Sequence, residues 1–242
     1  MKLLSYILSP IFAVVFFLLL LIFHPLQWFG LKLFGYKGHK FVVDYMNWVL
    51  TKSLLIIGVP VSLENRELLP ENETLIFVSN HQSTFDIPPM IWSFRKYHPK
   101  FVSKIELAKG IPSISFNLRH GGAALINRKD PRQAISELGT FAKRIHQNNW
   151  SAAIFPEGTR SKTGKPRKFS KNGLKTIAKY NPGAFIVPIT VNDSWKVFKY
   201  GKFPLGLGSP ITITIHQPIQ VKSVPFDQLM ETVENTIINH IK

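Results

Sequence analysis

The chain has 242 residues, 45% of them hydrophobic, which is enough for one sizeable α/β domain with an appendage and too short for two full domains. With 30 Lys and Arg against 14 Asp and Glu, a formal charge of +16 selects anionic partners: nucleic acid, an acidic lipid surface or phosphorylated substrates. The absence of Cys excludes a disulfide framework, a Cys-based zinc site and any thiol that could carry an acyl group.

Leu3 to Phe23 is almost wholly apolar, and Ile11 to Phe23 is an unbroken greasy run. It reads as a membrane segment. Its length is near the ~20 residues of a spanning helix, but Pro10 divides it, so a half-immersed or re-entrant helix stands beside a spanning one. A cleaved signal peptide fits less well, because Lys2 is a thin basic region and no small-x-small cleavage site follows. Trp28, Phe29, Phe34 and the flanking Lys32, Lys37 and Lys40 suit a headgroup region and place that side in the cytoplasm. From Phe41 to Gly58 the apolar residues approximate helical spacing, as in a second interfacial helix or a core helix. Residues 1–58 are therefore read as membrane-anchoring helices and 59–242 as the domain that carries the function.

Beyond Gly58 strands and helices alternate. Strands are predicted at Val59–Leu63, Leu75–Val78, Phe101–Ser103, Ala123–Ile126, Ala152–Phe155, Phe185–Val191 and Ile211–Ile215. Helices are predicted over Ile87–Phe94, from the Asp130-Pro131 cap with Ile135, Leu138, Phe141, Ala142 and Ile145 on one face, and over Ser223–Ile241. This order predicts an α/β fold: a mixed, mostly parallel sheet flanked by helices, with an N-terminal membrane-embedded or interfacial helical segment.

The first strand to end in reactive residues is Leu75–Val78, which leads into Asn80-His81-Gln82-Ser83-Thr84-Phe85-Asp86. His81 falls in the loop past the sheet, and Asp86 stands near the start of the next helix, where the macrodipole and free N–H groups favour a carboxylate. The intervening turn can fold Asp86 onto one imidazole nitrogen, leaving the other to accept a proton. For an isolated pair, the bland reading is an Asx-type turn with a surface His. Ser83 and Thr84 could be read as nucleophiles, but no Gly-x-Ser-x-Gly elbow exists in the chain. Arg128 and Arg160 each follow an apolar strand on what is expected to be the same sheet edge, where guanidinium forks can grip a phosphate. Alternatively, Arg128 is a surface arginine near Asp130, and Glu157 a turn carboxylate paired with Arg160. From Gly158 through Asn192 there is no acid, while Arg160, Lys162, Lys165, Arg167, Lys168, Lys171, Lys175 and Lys179 crowd together. Gly158 to Lys165 imitates a P-loop but has the wrong glycine spacing and Pro166 in place of Ser or Thr. No paired-His metal spacing appears, so no metal is expected.

Four blocks occur in order: Asn80–Asp86, Gly121–Arg128, Phe155–Arg160 and Ile186–Ile189. Together they resemble the glycerolipid acyltransferase family, most closely the 1-acyl-sn-glycerol-3-phosphate acyltransferases, over roughly Leu75 to Val191. Two departures are visible: Asn127 stands where an acidic residue is common, and the fourth block is loose. The resemblance implies acyl transfer from a thioester, acyl-coenzyme A or acyl-carrier protein, to the free hydroxyl of lysophosphatidic acid. It implies His81 as general base, Asp86 as its orienter, and an acceptor site containing Arg128, Glu157, Gly158, Thr159 and Arg160. Backbone N–H groups near Gly121-Gly122 or Gly158 are candidates for steadying the oxyanion. Related acceptors, namely glycerol-3-phosphate, lysophosphatidylglycerol-type lipids or lyso-aminolipids, share the motifs. From another class, the rival is a non-catalytic basic protein that binds anionic membranes. Nucleic acid ranks low, since aromatic-rich RNA-binding motifs are absent.

Overall fold

The computed structural model describes residues 2–242. The chain begins with helix α1 (Lys2–Ser53), which turns at Gly35, where φ 60° and ψ −148° leave helical space. The left-handed φ is open to glycine at little cost, and it folds the arms 2–34 and 36–53 into a hairpin. A Cβ on Gly38 would lie 2.5 Å from the Gly30 carbonyl oxygen, so the small residues let the arms approach closely. Pro10 does not divide the helix as expected. Its stretch lies along the catalytic domain, where Phe12 packs on Phe85 and the Ser9 hydroxyl donates to Ser5 O and accepts the Leu205 N–H.

The first arm is inside-out relative to a soluble helix. Its buried positions, Ser5, Ser9, Phe12, Leu20, Gln27 and Gly30, follow one another after one or two helical turns and include three polar side chains. The opposite stripe is apolar and exposed: Leu3 (80%), Ile7, Ile11, Val14, Leu18, Ile22 and Leu33 (68%). Among the described residues this is the helix long and apolar enough to cross a membrane.

Past the short 3₁₀ turn Leu54–Ile57 come strand β1 (Val61–Glu64), β2 (Leu75–Ser79), helix α2 (Ile87–Ser93), β3 (Pro99–Lys104), α3 (Ile114–His120) and β4 (Ala124–Ile126). They are followed by α4 (Pro131–Asn148), β5 (Ser151–Ile154), α5 (Lys171–Tyr180), β6 (Phe185–Asn192), β7 (Ile211–Ile215), β8 (Ile219–Gln220) and α6 (Phe226–Asn239). The strands among the described residues form one mixed sheet in the order β1-β7-β6-β2-β5-β3-β4, with β8 beside β6. From β6 through β4 all neighbours are parallel, so the carboxyl ends of β6, β2, β5, β3 and β4 share one edge. β7 and β8 run antiparallel to β6.

Alternation along the central strands divides the core in two. Leu75 and Phe77 of β2, with Val187, Ile189 and Val191 of β6, pack with α2, Leu54, Ile57 and Phe12 on one face. Ile76, Val78 and Ile186 pack beneath α4, α5 and α6 on the other. The result is the three-layer α/β arrangement predicted from the alternation of elements. One detail differs. Ile135 is exposed, since α4 buries only Leu138, Phe141, Ala142 and Ile145. Pro188 sits inside β6: its carbonyl accepts the His216 N–H, and its missing donor falls between the β8 and β7 pairings, where no ladder bond is lost.

The second hairpin arm is tied to the sheet by a buried cation. Lys100 Nζ lies 4.6 Å from the centre of the Tyr36 ring and 4.5 Å from that of Trp150. Burial foremost, and then the Lys40 ammonium, push its pKa from 10.5 down to about 7, with Asp44 opposing. An amine with a lowered folded pKa binds fewer protons folded than unfolded, so it makes stability rise with pH from about 7 toward 10.5 and adds no slope below. Thermal unfolding of Lys100→Met against wild type across that range is expected to show the variant losing part of this rise. Parallel curves would contradict it.

Candidate active site

The carboxyl end of β2 is fastened to β6 before the chemistry begins. Asn80 Nδ2 donates to Val191 O at 2.8 Å, and Asn80 Oδ1 accepts the Val191 N–H at 2.7 Å. Next, the His81 N–H donates to Glu157 Oε1 at 2.8 Å, and the His81 carbonyl accepts from Ser161 N at 2.7 Å. The imidazole lies on Phe155, with ring centres 4.1 Å apart and planes at 15°. Backbone and ring of His81 are thus both held by the segment that follows β5.

His81 Nδ1 lies 2.7 Å from Asp86 Oδ2, and the Asp86 side chain is fully buried. The same oxygen accepts the N–H groups of Gln82 at 2.8 Å and Ser83 at 2.9 Å. Oδ1 accepts from the Ser194 hydroxyl and, at 3.4 Å, from Ser83 Oγ. Asp86 does not cap α2, as a helix-start position suggested; it closes the short turn Thr84–Asp86, in which Ser83 Oγ accepts the Phe85 N–H. Every other partner of this carboxylate is a donor, so Nδ1 of His81 is the nitrogen that donates to it, and in the neutral ring Nε2 is the one that has the lone pair. The ring is 14% exposed, so it can be approached from outside.

The hydroxyls beside the base are otherwise engaged. Ser83 is buried and bonded within the turn, and Thr84 Oγ1 accepts from Arg160 Nη1. Arg160 therefore stands over the His81–Asp86 turn with its guanidinium exposed. Glu157 does not pair with it. Its two oxygens take the N–H groups of His81 and of Arg167, the latter at 2.9 Å, beneath the site. Burial pushes the Glu157 carboxyl up, and these two bonds oppose it. Gly158 N–H closes its own turn onto Phe155 O and Gly121 N–H caps α3 on Asn117 O, so both are already committed. Thr159 is half-buried on the way to Arg160.

Arg128 is on the expected edge but not at the dyad. In the strand order β2-β5-β3-β4 it lies three strands away, roughly 14 Å across the sheet, exposed, and the acid whose charge acts on it is Glu106. Lys104, the last residue of β3 and level with Ile126, stands on the same edge between Arg128 and β5. Sequence reasoning quoted Asn80 without giving it a role and passed over Lys104 and Ser194; the placement of Lys104 depends on strand order, and that of Asn80 and Ser194 on bonds across 111 and 108 residues. The lysines and arginines from Arg160 to Lys179 are all exposed.

The three-layer α/β fold thus presents, on one sheet edge, a histidine oriented by a buried carboxylate together with exposed cations, and the hydroxyls of Ser83 and Thr84 beside it are bonded within the protein. Residues 60–192 match the Acyltransferase family, and the chain belongs to it. It is 32% identical over 160 residues to the chloroplastic 1-acyl-sn-glycerol-3-phosphate acyltransferase LPAT1 of Arabidopsis thaliana, covering 66% of this chain and 43% of that protein. A 1-acyl-sn-glycerol-3-phosphate acyltransferase of Pseudomonas aeruginosa is 27% identical over 79% of this chain and 76% of its own length. The chain spans about half the length of several of the plant and algal relatives it matches. The fold is that of PlsC, the 1-acyl-sn-glycerophosphate acyltransferase from Thermotoga maritima, at a TM-score of 0.77 and 23% identity over 99% of this chain and 94% of the other.

Ser194→Ala removes one of the donors that hold Asp86. Turnover is expected to fall on the order of tenfold with little change in KM, and the acid limb of the pH–rate profile to move, while Ser194→Thr restores both. An unaltered profile in the alanine variant would remove Ser194 from the dyad's support.

Proposed function

We propose that this chain transfers a fatty acyl group from an acyl thioester to the free hydroxyl of lysophosphatidic acid, giving phosphatidic acid. The observation that carries the reading is His81, held by Asp86 through Nδ1, with Nε2 left to take a proton. In the reaction, His81 Nε2 takes the acceptor's hydroxyl proton as that oxygen attacks the thioester carbonyl. The tetrahedral intermediate collapses by breaking the C–S bond, and the imidazolium returns the proton to the departing thiolate. Asp86 keeps the tautomer and stabilises the charged ring. No covalent acyl-enzyme is required, in keeping with a chain that lacks Cys and whose Ser83 is buried.

Arg160 would hold the acceptor phosphate beside the base, with Lys104 and Arg128 extending the basic edge toward a larger headgroup or the donor's phosphates. Glu157, Gly158 and Thr159 would act by shaping the loop that carries Arg160. The exposed run from Lys162 to Lys179 suits acyl-coenzyme A or acyl-carrier protein, both anionic. The outward apolar stripe of α1 would seat the protein on an anionic membrane, with the lysine-flanked side toward the cytoplasm. The activity for which these relatives are named favours lysophosphatidic acid over the other acceptors.

Thiol release from oleoyl-coenzyme A by purified protein in detergent tests the reading, with lysophosphatidic acid, glycerol-3-phosphate or lysophosphatidylglycerol as acceptor. Release dependent on lysophosphatidic acid supports it; preference for another acceptor replaces the substrate, and silence with acyl-carrier protein donors as well contradicts the activity. Arg160→Ala is expected to raise KM for the phosphorylated acceptor about tenfold and to leave KM for the donor nearly unchanged.

A further inference from the structure

The segment after β6 has an exposed tip. Ser194–Phe198 forms a 3₁₀ turn, then Lys199, Tyr200, Gly201, Lys202 and Phe203 are all exposed, and Pro204 through Leu207 are buried again. Its base is fixed: Gly206 N–H donates to Val197 O at 2.8 Å, and Leu205 N–H to Ser9 Oγ at 2.8 Å. The two aromatics at the tip are 42% and 54% exposed, an unfavourable place for apolar rings in water.

What lies beside the tip identifies what covers it. Phe203 meets Tyr6 edge-on, with ring centres 5.5 Å apart, and Lys2 and Lys199 both sit by the Tyr200 ring. The tip therefore continues the apolar stripe that begins at Leu3, Leu4 and Ile7 of α1. Aromatic rings alternating with lysines match the chemistry of the boundary between acyl chains and anionic headgroups. We propose that the Lys199–Phe203 loop is a lipid-contacting element of the catalytic domain itself, which places Tyr200 and Phe203 among the lipids of an anionic bilayer and Lys199 and Lys202 at its phosphates.

The proposal rests on the membrane seating of α1 inferred above and adds a second point of contact. The location has a consequence for the site. Phe198, next to the tip, stacks on Phe85 at 5.5 Å, and Ser194 at the other end of the turn bonds Asp86. A loop seated in lipid would thus adjoin the turn that holds the dyad.

The chain has no Cys, so single cysteines can be labelled without background. An environment-sensitive fluorophore at Phe203→Cys, Ile11→Cys or Ile135→Cys would be read in vesicles of phosphatidylcholine and phosphatidylglycerol carrying nitroxide-labelled lipids. All three positions are exposed in the fold, and Ile135 lies on α4, on the sheet face opposite the hairpin. The proposal expects quenching at position 203 comparable to that at position 11, and little at position 135. Quenching at 11 without quenching at 203 would overturn it while leaving the α1 membrane seating intact, and would point to a soluble partner for the loop. Absence of quenching at both would overturn the membrane seating as well. Quenching at 203 with thiol release absent would keep the lipid contact and refute only the catalytic reading.

Discussion

The buried carboxylate of Asp86 is the constraint on which the site depends. An ionised acid with no exposed surface is tolerable only when its oxygens are supplied with donors. Here they come from the His81 ring, the N–H groups of Gln82 and Ser83, and two serine hydroxyls, one of them on the segment beyond β6. Satisfying the charge and orienting the imidazole are the same act. The β2 loop cannot relax without stranding the carboxylate, which holds the His81 ring in one orientation.

The sheet supplies the rigid frame for that constraint. β2 is buried along its whole length, paired on both sides by parallel neighbours, and the two bonds between Asn80 and Val191 carry the fastening one residue past the strand. Glu157 then joins the β5 loop to the His81 backbone, so the ends of β2, β5 and β6 converge on the neighbouring residues Asn80 and His81. The hairpin of α1 adds the opposite kind of surface. Its first arm buries Ser5, Ser9 and Gln27 and turns Leu3, Ile7, Ile11, Val14, Leu18 and Ile22 outward, an arrangement that makes sense where the surroundings are themselves apolar.

Much of this was legible along the chain, and the reasons are physical. Short-range signals survived well: the His81–Asp86 turn, the Asp130 cap whose carboxylate accepts the Arg132 and Gln133 N–H groups, and the alternation that produces a three-layer fold. Pro10 misled because a helix-breaking residue was weighed as if the helix stood alone, whereas the helix continues through it beside residues that bind the domain, Ser9 at Leu205 and Phe12 at Phe85. Arg128 and Arg160 follow equivalent strands, yet only the strand order reveals that β5 and β3 separate β4 from β2. Ser194 carried no signal at all, since a serine 108 residues from its partner looks like any other in a turn.

The central claim is that His81 accepts the proton of the attacking hydroxyl, and His81→Ala protein tests it most directly. Acceptor-dependent thiol release should fall by at least about a hundredfold, the usual scale of general-base catalysis, while thermal unfolding and vesicle association stay near those of wild type. Turnover close to wild type in a folded, membrane-bound His81→Ala protein would contradict the account.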